Sequence, residues 1–179
     1  MGEDQHHADY SNFTSSSKQE TLETVTLSYE ALSQDLTNWV ANLSNASSLI
    51  WHAYHSLKIP VNWTGFYVVD PEDPSQLILG PFQGKVACQT IKIGKGVCGI
   101  AAQTEKTQVV PNVEEFPGHI ACDGETKSEI VVPIVGKDGK LRGVIDIDGL
   151  VLGAFDEVDQ KELEKLAQLI ADGNKWYEY

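Results

Sequence analysis

The sequence predicts an α+β fold in which helices near both ends of the chain pack against an antiparallel sheet. Apolar residues recur at helical spacing towards both ends, whereas the middle of the chain holds short β-rich runs joined by turns. The Asp138-Gly139 pair between two of these runs indicates a hairpin, and hairpin-linked strands form antiparallel sheets.

The length and composition are typical of one acidic globular domain. The chain has 179 residues, 41% of them hydrophobic, and a formal net charge of −13. This charge argues against binding to a nucleic-acid backbone or an anionic membrane, and no apolar run is long enough to span a bilayer. We therefore expect neither partner. The first ten residues lack the features of a secretory signal, so we expect a cytoplasmic protein, with the nucleus left open as a second compartment.

Two helices are predicted near the amino terminus, after a polar lead-in. Residues 1–17 show no periodicity, so we expect a disordered tail followed by a single domain over residues 18–175. Apolar residues in 18–33 fall only approximately at helical spacing. In 39–57 the helical spacing is clear, and Pro60 ends that helix.

The rest of the chain is predicted to hold short strands, one short helix and one longer helix. The predicted strands cover residues 63–69, 77–79, 90–93, 108–110, 130–135 and 141–147. The short helix is predicted over 97–104 and the last helix over 156–170. A loop rich in Gly, Pro and Asp spans 112–128, and a loop of this length inside a compact domain is usually functional.

Residues 94–99 (GKGVCG) match the G-x-G-x-x-G pattern of dinucleotide-binding loops. Only eight residues separate Gly99 from Gln108, which is too few for the crossover helix of a parallel unit. The motif is therefore interpreted as tight turns and a helix start, and no cofactor is expected.

The chain has three cysteines, an odd number that argues against a disulfide scaffold. Cys98 lies among apolar residues and is interpreted as a buried thiol. Cys122 lies in the polar loop, where a thiol is accessible. The sequence allows either a reactive or an unreactive thiol at this position. A zinc site of Cys88, Cys98, Cys122 and His119 is a further alternative, but its spacing lacks the paired clusters of structural zinc modules, so no metal is expected.

Three acids are expected to lie close together on the sheet. Strand periodicity places Asp146 and Asp148 on one face, and pairing about the Asp138-Gly139 turn brings Glu129 near Asp148. They could form an anionic pocket that binds an ammonium group or keeps one carboxyl protonated. The alternative is a solvated sheet face.

Trp63 and Tyr67 stand four residues apart in one strand and so share a face of the sheet. Aromatic residues at this spacing are more often part of a core than of a pocket. The alternative is a pocket wall against a sulfur-bearing group, because contacts between sulfur and aromatic rings are favourable.

Five stretches in this order carry a family resemblance: residues 79–88 (LGPFQGKVAC), 94–99 (GKGVCG), 117–123 (PGHIACD), 127–131 (KSEIV) and 143–148 (GVIDID). Over about residues 28–170 the chain resembles the free methionine-(R)-sulfoxide reductases, which are single GAF domains. The resemblance implies a GAF-like fold with a six-stranded antiparallel sheet between helices, and a homodimer. It also implies reduction of free methionine (R)-sulfoxide, with thioredoxin as the reductant.

The resemblance further implies that all three cysteines lie at or near the active site. The substrate-binding residues it implies are Trp63, Glu129, Asp146 and Asp148, and we add Tyr67 because it shares a face of the strand with Trp63. Sulfoxide reduction needs a thiol that attacks sulfur and a second thiol that condenses the resulting sulfenic acid into a disulfide. We assign Cys122 to attack and Cys88 to resolve, and Cys98 is open for either role.

Two questions remain open at this point. Acids near a thiol raise its pKa, so either a carboxyl is protonated or loop N–H groups and His119 or Lys127 compensate. The alternative function is a non-catalytic GAF sensor of a small ligand such as a cyclic nucleotide, although the Asn-Lys-Phe-Asp-Glu motif of such domains is absent.

Overall fold

The computed structural model describes residues 6–176, which form four α-helices and six strands. In chain order they are α1 (Lys18–Ser33), α2 (Trp39–Ser56), β1 (Val61–Val69), β2 (Gln76–Gly84), β3 (Thr90–Lys92), α3 (Gly96–Thr104), β4 (Gln108–Val110), β5 (Ser128–Val135), β6 (Leu141–Gly149) and α4 (Glu157–Gly173). Two short 3₁₀ turns lie at His7–Ser11 and Val113–Glu115. The predicted α+β class is confirmed. Within the described residues, no helix is both long and apolar enough to cross a membrane.

The six strands form one antiparallel sheet in the order β3-β2-β1-β6-β5-β4. The strands β3 and β4 are therefore opposite edges, and α3 crosses one face of the sheet between them. No pair of these strands is parallel, so the glycine motif before α3 does not belong to a dinucleotide-binding βαβ unit.

Each face of the sheet carries its own apolar core. One core lies under α1, α2 and α4 and includes Phe66 and Ile145. The other lies under α3 and includes Tyr67 and Val144. Because successive strand residues point to opposite faces, Asp146 lies on the same side as Val144, towards α3.

A buried carboxylate joins α1, α2 and α4, the three helices that cover one face of the sheet. Asp159 of α4 is fully buried, and its Oδ1 accepts a hydrogen bond of 2.5 Å from the hydroxyl of Tyr54 in α2. Its Oδ2 accepts one of 2.8 Å from Lys18 at the start of α1. A buried charge is tolerated where it is paired and hydrogen-bonded in this way, and the arrangement holds the helices against the sheet.

The amino-terminal segment differs from the predicted disordered tail over residues 1–17. Residues 1–5 lie outside the described part of the chain. The following residues form the 3₁₀ turn His7–Ser11, and the rings of Tyr10 and Phe13 pack against the core under the helices. The segment has no periodic pattern, so its order comes from burial of these two rings and not from a regular amphipathic element.

The second strand is longer than predicted. The sequence predicts a strand over residues 77–79, whereas β2 continues through Gly80 and Pro81 to Gly84. Pairing of β2 with β3 ends at Ile78, and no other described strand pairs with that edge beyond it. Proline lacks an N–H group, and it is tolerated in a strand where that edge is unpaired.

Candidate active site

A pocket lies on the α3 side of the sheet, between the strands and the long loop over residues 112–127. It encloses about 580 Å³, counting its open mouth. Seven of the eight residues predicted for the site line it, namely Trp63, Tyr67, Cys98, Cys122, Glu129, Asp146 and Asp148. The eighth, Cys88, is covalently bonded to one of them.

Cys88 and Cys122 form a disulfide, with Cα atoms 5.6 Å apart. Cys88 lies between β2 and β3, and Cys122 lies in the long loop, so the bond joins two loops at the pocket. The hydroxyl of Tyr67 donates a hydrogen bond of 2.9 Å to the carbonyl oxygen of Cys88, which ties the first loop to β1. The two cysteines assigned to attack and resolution are therefore adjacent, and the role of each stays a prediction.

Cys98 is a free, buried thiol in the first turn of α3, as its apolar sequence context predicts. Its sulfur lies within 4.8 Å of a carboxylate oxygen of Glu129 and of one of Asp146. Burial raises the pKa of the Cys98 thiol well above its ordinary value, and the negative charges of the two acids raise it further. In this state Cys98 is held as a neutral thiol.

Glu129, Asp146 and Asp148 form one acid cluster, as strand periodicity predicts. Glu129 pairs directly with Asp148 between β5 and β6, and the residues Glu129 and Asp146 are only 6% and 5% exposed. The alternative of a solvated sheet face is therefore wrong. Burial raises the pKa of all three carboxyls, and the charge of Asp146 raises those of Glu129 and Asp148 further. The cluster consequently favours holding a shared proton.

Three buried polar atoms beside the pocket have no hydrogen-bond partner among residues 6–176. They are Trp63 Nε1, Asp146 Oδ1 and Asp148 Oδ1, which are one donor and two acceptors. The indole ring stacks on Tyr67 and on Phe82, with centroids 5.6 and 5.2 Å apart. Buried polar groups are normally satisfied, so these atoms are available to a ligand that carries both donors and acceptors.

His119 is the residue of the long loop that approaches the acids. Its Nε2 lies 3.8 Å from Glu129 Oε1. Burial lowers the pKa of His119, and the nearby Asp146 only partly offsets this, so the imidazole is neutral at pH 7. It therefore contributes a hydrogen-bonding group more than a positive charge. Lys127, the other residue considered as a compensating group, is exposed and does not line the pocket.

Sequence reasoning missed that the first turn of α3 forms a wall of the pocket. Lys95 and Gly96 line it, and Gly96 has a φ of +66°, which favours glycine. A Cβ atom at Gly96 would lie 3.0 Å from the side chain of Ile120, and one at Gly99 would collide with the carbonyl oxygen of Lys92. The spacing of the glycines in residues 94–99 was the sequence signal that could have indicated this wall. It marks a close approach of α3 to the loop and to β3.

The zinc site considered from the sequence is not assembled. Two of its four members, Cys88 and Cys122, are bonded to each other. Among the described residues, the one group arranged to hold a metal ion is Cys98 with Glu129 and Asp146. Burial raises the pKa of all three groups.

Comparison with known proteins agrees with this geometry. The sequence model of the GAF domain matches residues 26–173. The free methionine-R-sulfoxide reductase of Saccharomyces cerevisiae is 64% identical over 166 residues, which cover 92% of each chain. The chain belongs to the free methionine-R-sulfoxide reductase family.

Two further members of this family show how far the similarity extends. The free methionine-R-sulfoxide reductase of Escherichia coli is 42% identical over 142 residues, covering 79% of this chain and 81% of that protein. A free methionine-R-sulfoxide reductase of Neisseria meningitidis, solved in complex with its substrate, superimposes with a TM-score of 0.82 at 40% identity. That match covers 89% of this chain and 92% of the other. The resemblance carried by the five sequence stretches is confirmed, as is the six-stranded GAF fold it implies.

Proposed function

We propose that the protein reduces free L-methionine (R)-S-oxide to L-methionine by thiol chemistry. The observation that carries the proposal is the Cys88–Cys122 disulfide beside a buried acid pocket, in a member of the free methionine-R-sulfoxide reductase family. A disulfide is the expected end of one reductive turnover. The pocket supplies the acids and the aromatic wall that a sulfoxide with a free ammonium group requires.

The reaction starts from the reduced form, in which Cys88 and Cys122 are thiols. A hydrogen bond or proton from a carboxyl to the sulfoxide oxygen makes the substrate sulfur electrophilic, and the Cys122 thiolate attacks it. The bond between the substrate sulfur and its oxygen breaks as the oxygen is transferred to the sulfur of Cys122, so methionine leaves and Cys122 becomes a sulfenic acid. The Cys88 thiol then attacks that sulfur, water leaves, and the disulfide forms.

The acid cluster suits both parts of the substrate. A carboxyl with a raised pKa keeps its proton to a higher pH and can donate it to the sulfoxide oxygen, and burial raises the pKa of Glu129 in this way. The unpartnered oxygens of Asp146 and Asp148 can accept hydrogen bonds from the ammonium group of a free amino acid. A protonated carboxyl also removes one negative charge that would oppose a thiolate at Cys122.

The same cluster argues against the alternative of a cyclic-nucleotide sensor. A cyclic nucleotide carries a phosphate anion, and anions are bound by backbone N–H groups, Arg or Lys. Lys85 and Lys95 also line this pocket, but a phosphate there would meet Glu129, Asp146 and Asp148, two of them almost fully buried. A ligand with a cationic group fits the site better.

Thioredoxin as the reductant, a homodimer and a cytoplasmic location complete the proposal. Cys122 is exposed even within the disulfide, so an external dithiol can reach it. Support for a second copy comes from an apolar surface of three successive exposed residues, Leu150, Val151 and Leu152. The cytoplasm fits an enzyme that depends on a thioredoxin pool.

Turnover assays with separated epimers test the proposal. With a thioredoxin system, the R epimer of free methionine sulfoxide should yield methionine and the S epimer should not. The N-acetylated R epimer, which lacks the ammonium group, should react far more slowly. Equal rates on the free and the acetylated substrate would contradict the claim that the substrate is the free amino acid.

A further inference from the structure

Two exposed aliphatic side chains stand beside the disulfide. Val86 is 90% exposed and Ile120 is 42% exposed. Each lies two residues before one of the bonded cysteines, Val86 before Cys88 and Ile120 before Cys122. Aliphatic groups exposed in this way on both loops form an apolar rim around a bond that has to be broken in every turnover.

The two sulfurs of this bond differ in access. Cys122 is exposed, whereas Cys88 is half-buried and its backbone carbonyl is held by the hydroxyl of Tyr67. Thiol–disulfide exchange depends on which sulfur an attacking thiolate can reach. A thiolate that approaches from solvent therefore reaches Cys122, and it does so across the surface that carries Val86 and Ile120.

The charges at this rim favour an uncharged contact. Lys85, next to Val86, lies 3.8 Å from Glu125, and both side chains are largely exposed. Asp123, next to Cys122, adds a further negative charge near Lys85, so this surface does not attract an anionic small thiol such as glutathione. A protein partner that presents its reactive thiol within an apolar surface can instead gain contact area from the two aliphatic side chains.

We propose that Val86 and Ile120 form the docking rim for a protein dithiol that attacks Cys122. This rests on the proposed function, because it assigns the surface that regenerates the reduced enzyme. The partner's thiolate bonds to Cys122 Sγ, the bond to Cys88 breaks, and Cys88 leaves as a thiolate that takes up a proton. The partner's second thiolate then attacks its own first sulfur and releases Cys122. Two electrons and two protons pass to the enzyme, and the partner keeps a disulfide.

The test is the rate at which the oxidised protein is reduced, with no sulfoxide present. Reduced thioredoxin and dithiothreitol serve as the two reductants, and alkylation of the freed thiols followed by mass spectrometry gives the rates. Val86→Ser and Ile120→Ser should each slow reduction by thioredoxin at least about fivefold and leave the dithiothreitol rate unchanged. Leu27→Ser, at a residue 65% exposed on α1, is the matched control and should change neither rate.

Three outcomes overturn the proposal. Unchanged reduction by thioredoxin in both variants shows that the rim makes no contact, and equal slowing with both reductants shows that it only affects access to the disulfide. A thioredoxin with a single reactive cysteine should form a mixed disulfide with Cys122, and capture at Cys88 overturns the assigned attack. These rates need no sulfoxide, so they stay measurable even if the protein releases no methionine. Failure of the docking proposal can therefore be distinguished from failure of the proposed reductase activity.

Discussion

Glu129 and Asp148 stand directly opposite each other across the β5–β6 pair, on the face of the sheet that borders the pocket. Burial raises the pKa of both carboxyls, and so does the charge of Asp146 beside them. Two acids in register destabilise a sheet unless a proton or a cation lies between them. The hairpin that orders the strands thus also assembles a group of acids that favours a proton or a cationic ligand.

Neutral substitutions in this cluster should reduce activity without loss of stability. Asp146→Asn, Asp148→Asn and Glu129→Gln each remove an ionisable carboxyl from a buried cluster in which charge is costly, so the melting temperature should stay unchanged or rise. Each should lower kcat/KM at least about tenfold, which corresponds to about 1.4 kcal/mol of transition-state stabilisation. Steady-state kinetics and thermal unfolding measure the two effects.

The control for these variants is Glu30→Gln, which makes the same change at an exposed residue of α1 and should leave both quantities unchanged. Full activity in all three cluster variants would show that the acids are a passive face. A fall of several degrees in melting temperature with unchanged kcat/KM would show a purely structural network.

The raised pKa of Glu129 predicts a pH dependence of stability. Its ordinary value is 4.5, and the folded state keeps a proton that the unfolded chain loses above that pH. This stabilising contribution is complete below the unfolded value and is lost as pH rises through the folded value. As pH rises above 4.5, the free energy of unfolding should therefore fall less steeply in Glu129→Gln than in the wild type.

Urea unfolding of the two oxidised proteins over this range makes the comparison. Burial also raises the pKa of Asp159, and that contribution is present in both proteins, whereas Asp146 and Asp148 interact with Glu129 and belong to the response that is measured. Identical slopes would mean that Glu129 has no raised pKa in the folded state.

Local sequence rules were enough to predict the acid cluster. Alternation along a strand places Asp146 and Asp148 on one face, and the Asp138-Gly139 turn sets the register that brings Glu129 opposite Asp148. Both rules act over a few residues, so they hold without knowledge of the rest of the fold. The same alternation places Trp63 and Tyr67 together.

Contacts between loops could not be predicted in this way. Cys88 and Cys122 lie 34 residues apart in two irregular segments, and no local pattern sets how such segments approach each other. Only the family resemblance suggested that both lie at the site. Order in the segment with Tyr10 and Phe13 was missed for a related reason, because it depends on a groove that other elements form.

The three cysteines should give unequal defects when each is replaced by serine. Cys122→Ser should release no methionine even in a single turnover, because the attacking thiol is gone. Cys88→Ser should complete that first turnover and then stop, leaving a sulfenic acid that dimedone traps. Cys98→Ser should keep the first turnover, since its thiol is neutral and buried in the structure.

Quenched single-turnover assays on the reduced variants give this comparison. Loss of the first turnover in Cys98→Ser alone would reverse the assignment and make the buried thiol the nucleophile.

The unpartnered indole N–H of Trp63 should act on the substrate and not on folding. Trp63→Phe keeps a ring that can stack on Phe82 and removes the donor, so kcat/KM should fall about tenfold while the melting temperature changes by no more than a few degrees. Trp51→Phe, on α2, is the control and should leave kcat/KM unchanged. Equal activity of Trp63→Phe and the wild type would show that the donor makes no contact with the substrate.

The most direct test of the account is a single turnover without any external reductant. Fully reduced protein is mixed with the free R epimer of methionine sulfoxide, and both the methionine and the remaining thiols are counted. We expect one methionine per chain, together with loss of the Cys88 and Cys122 thiols while Cys98 stays free. Absence of methionine, or its release with those two thiols intact, would contradict the proposed function and its mechanism.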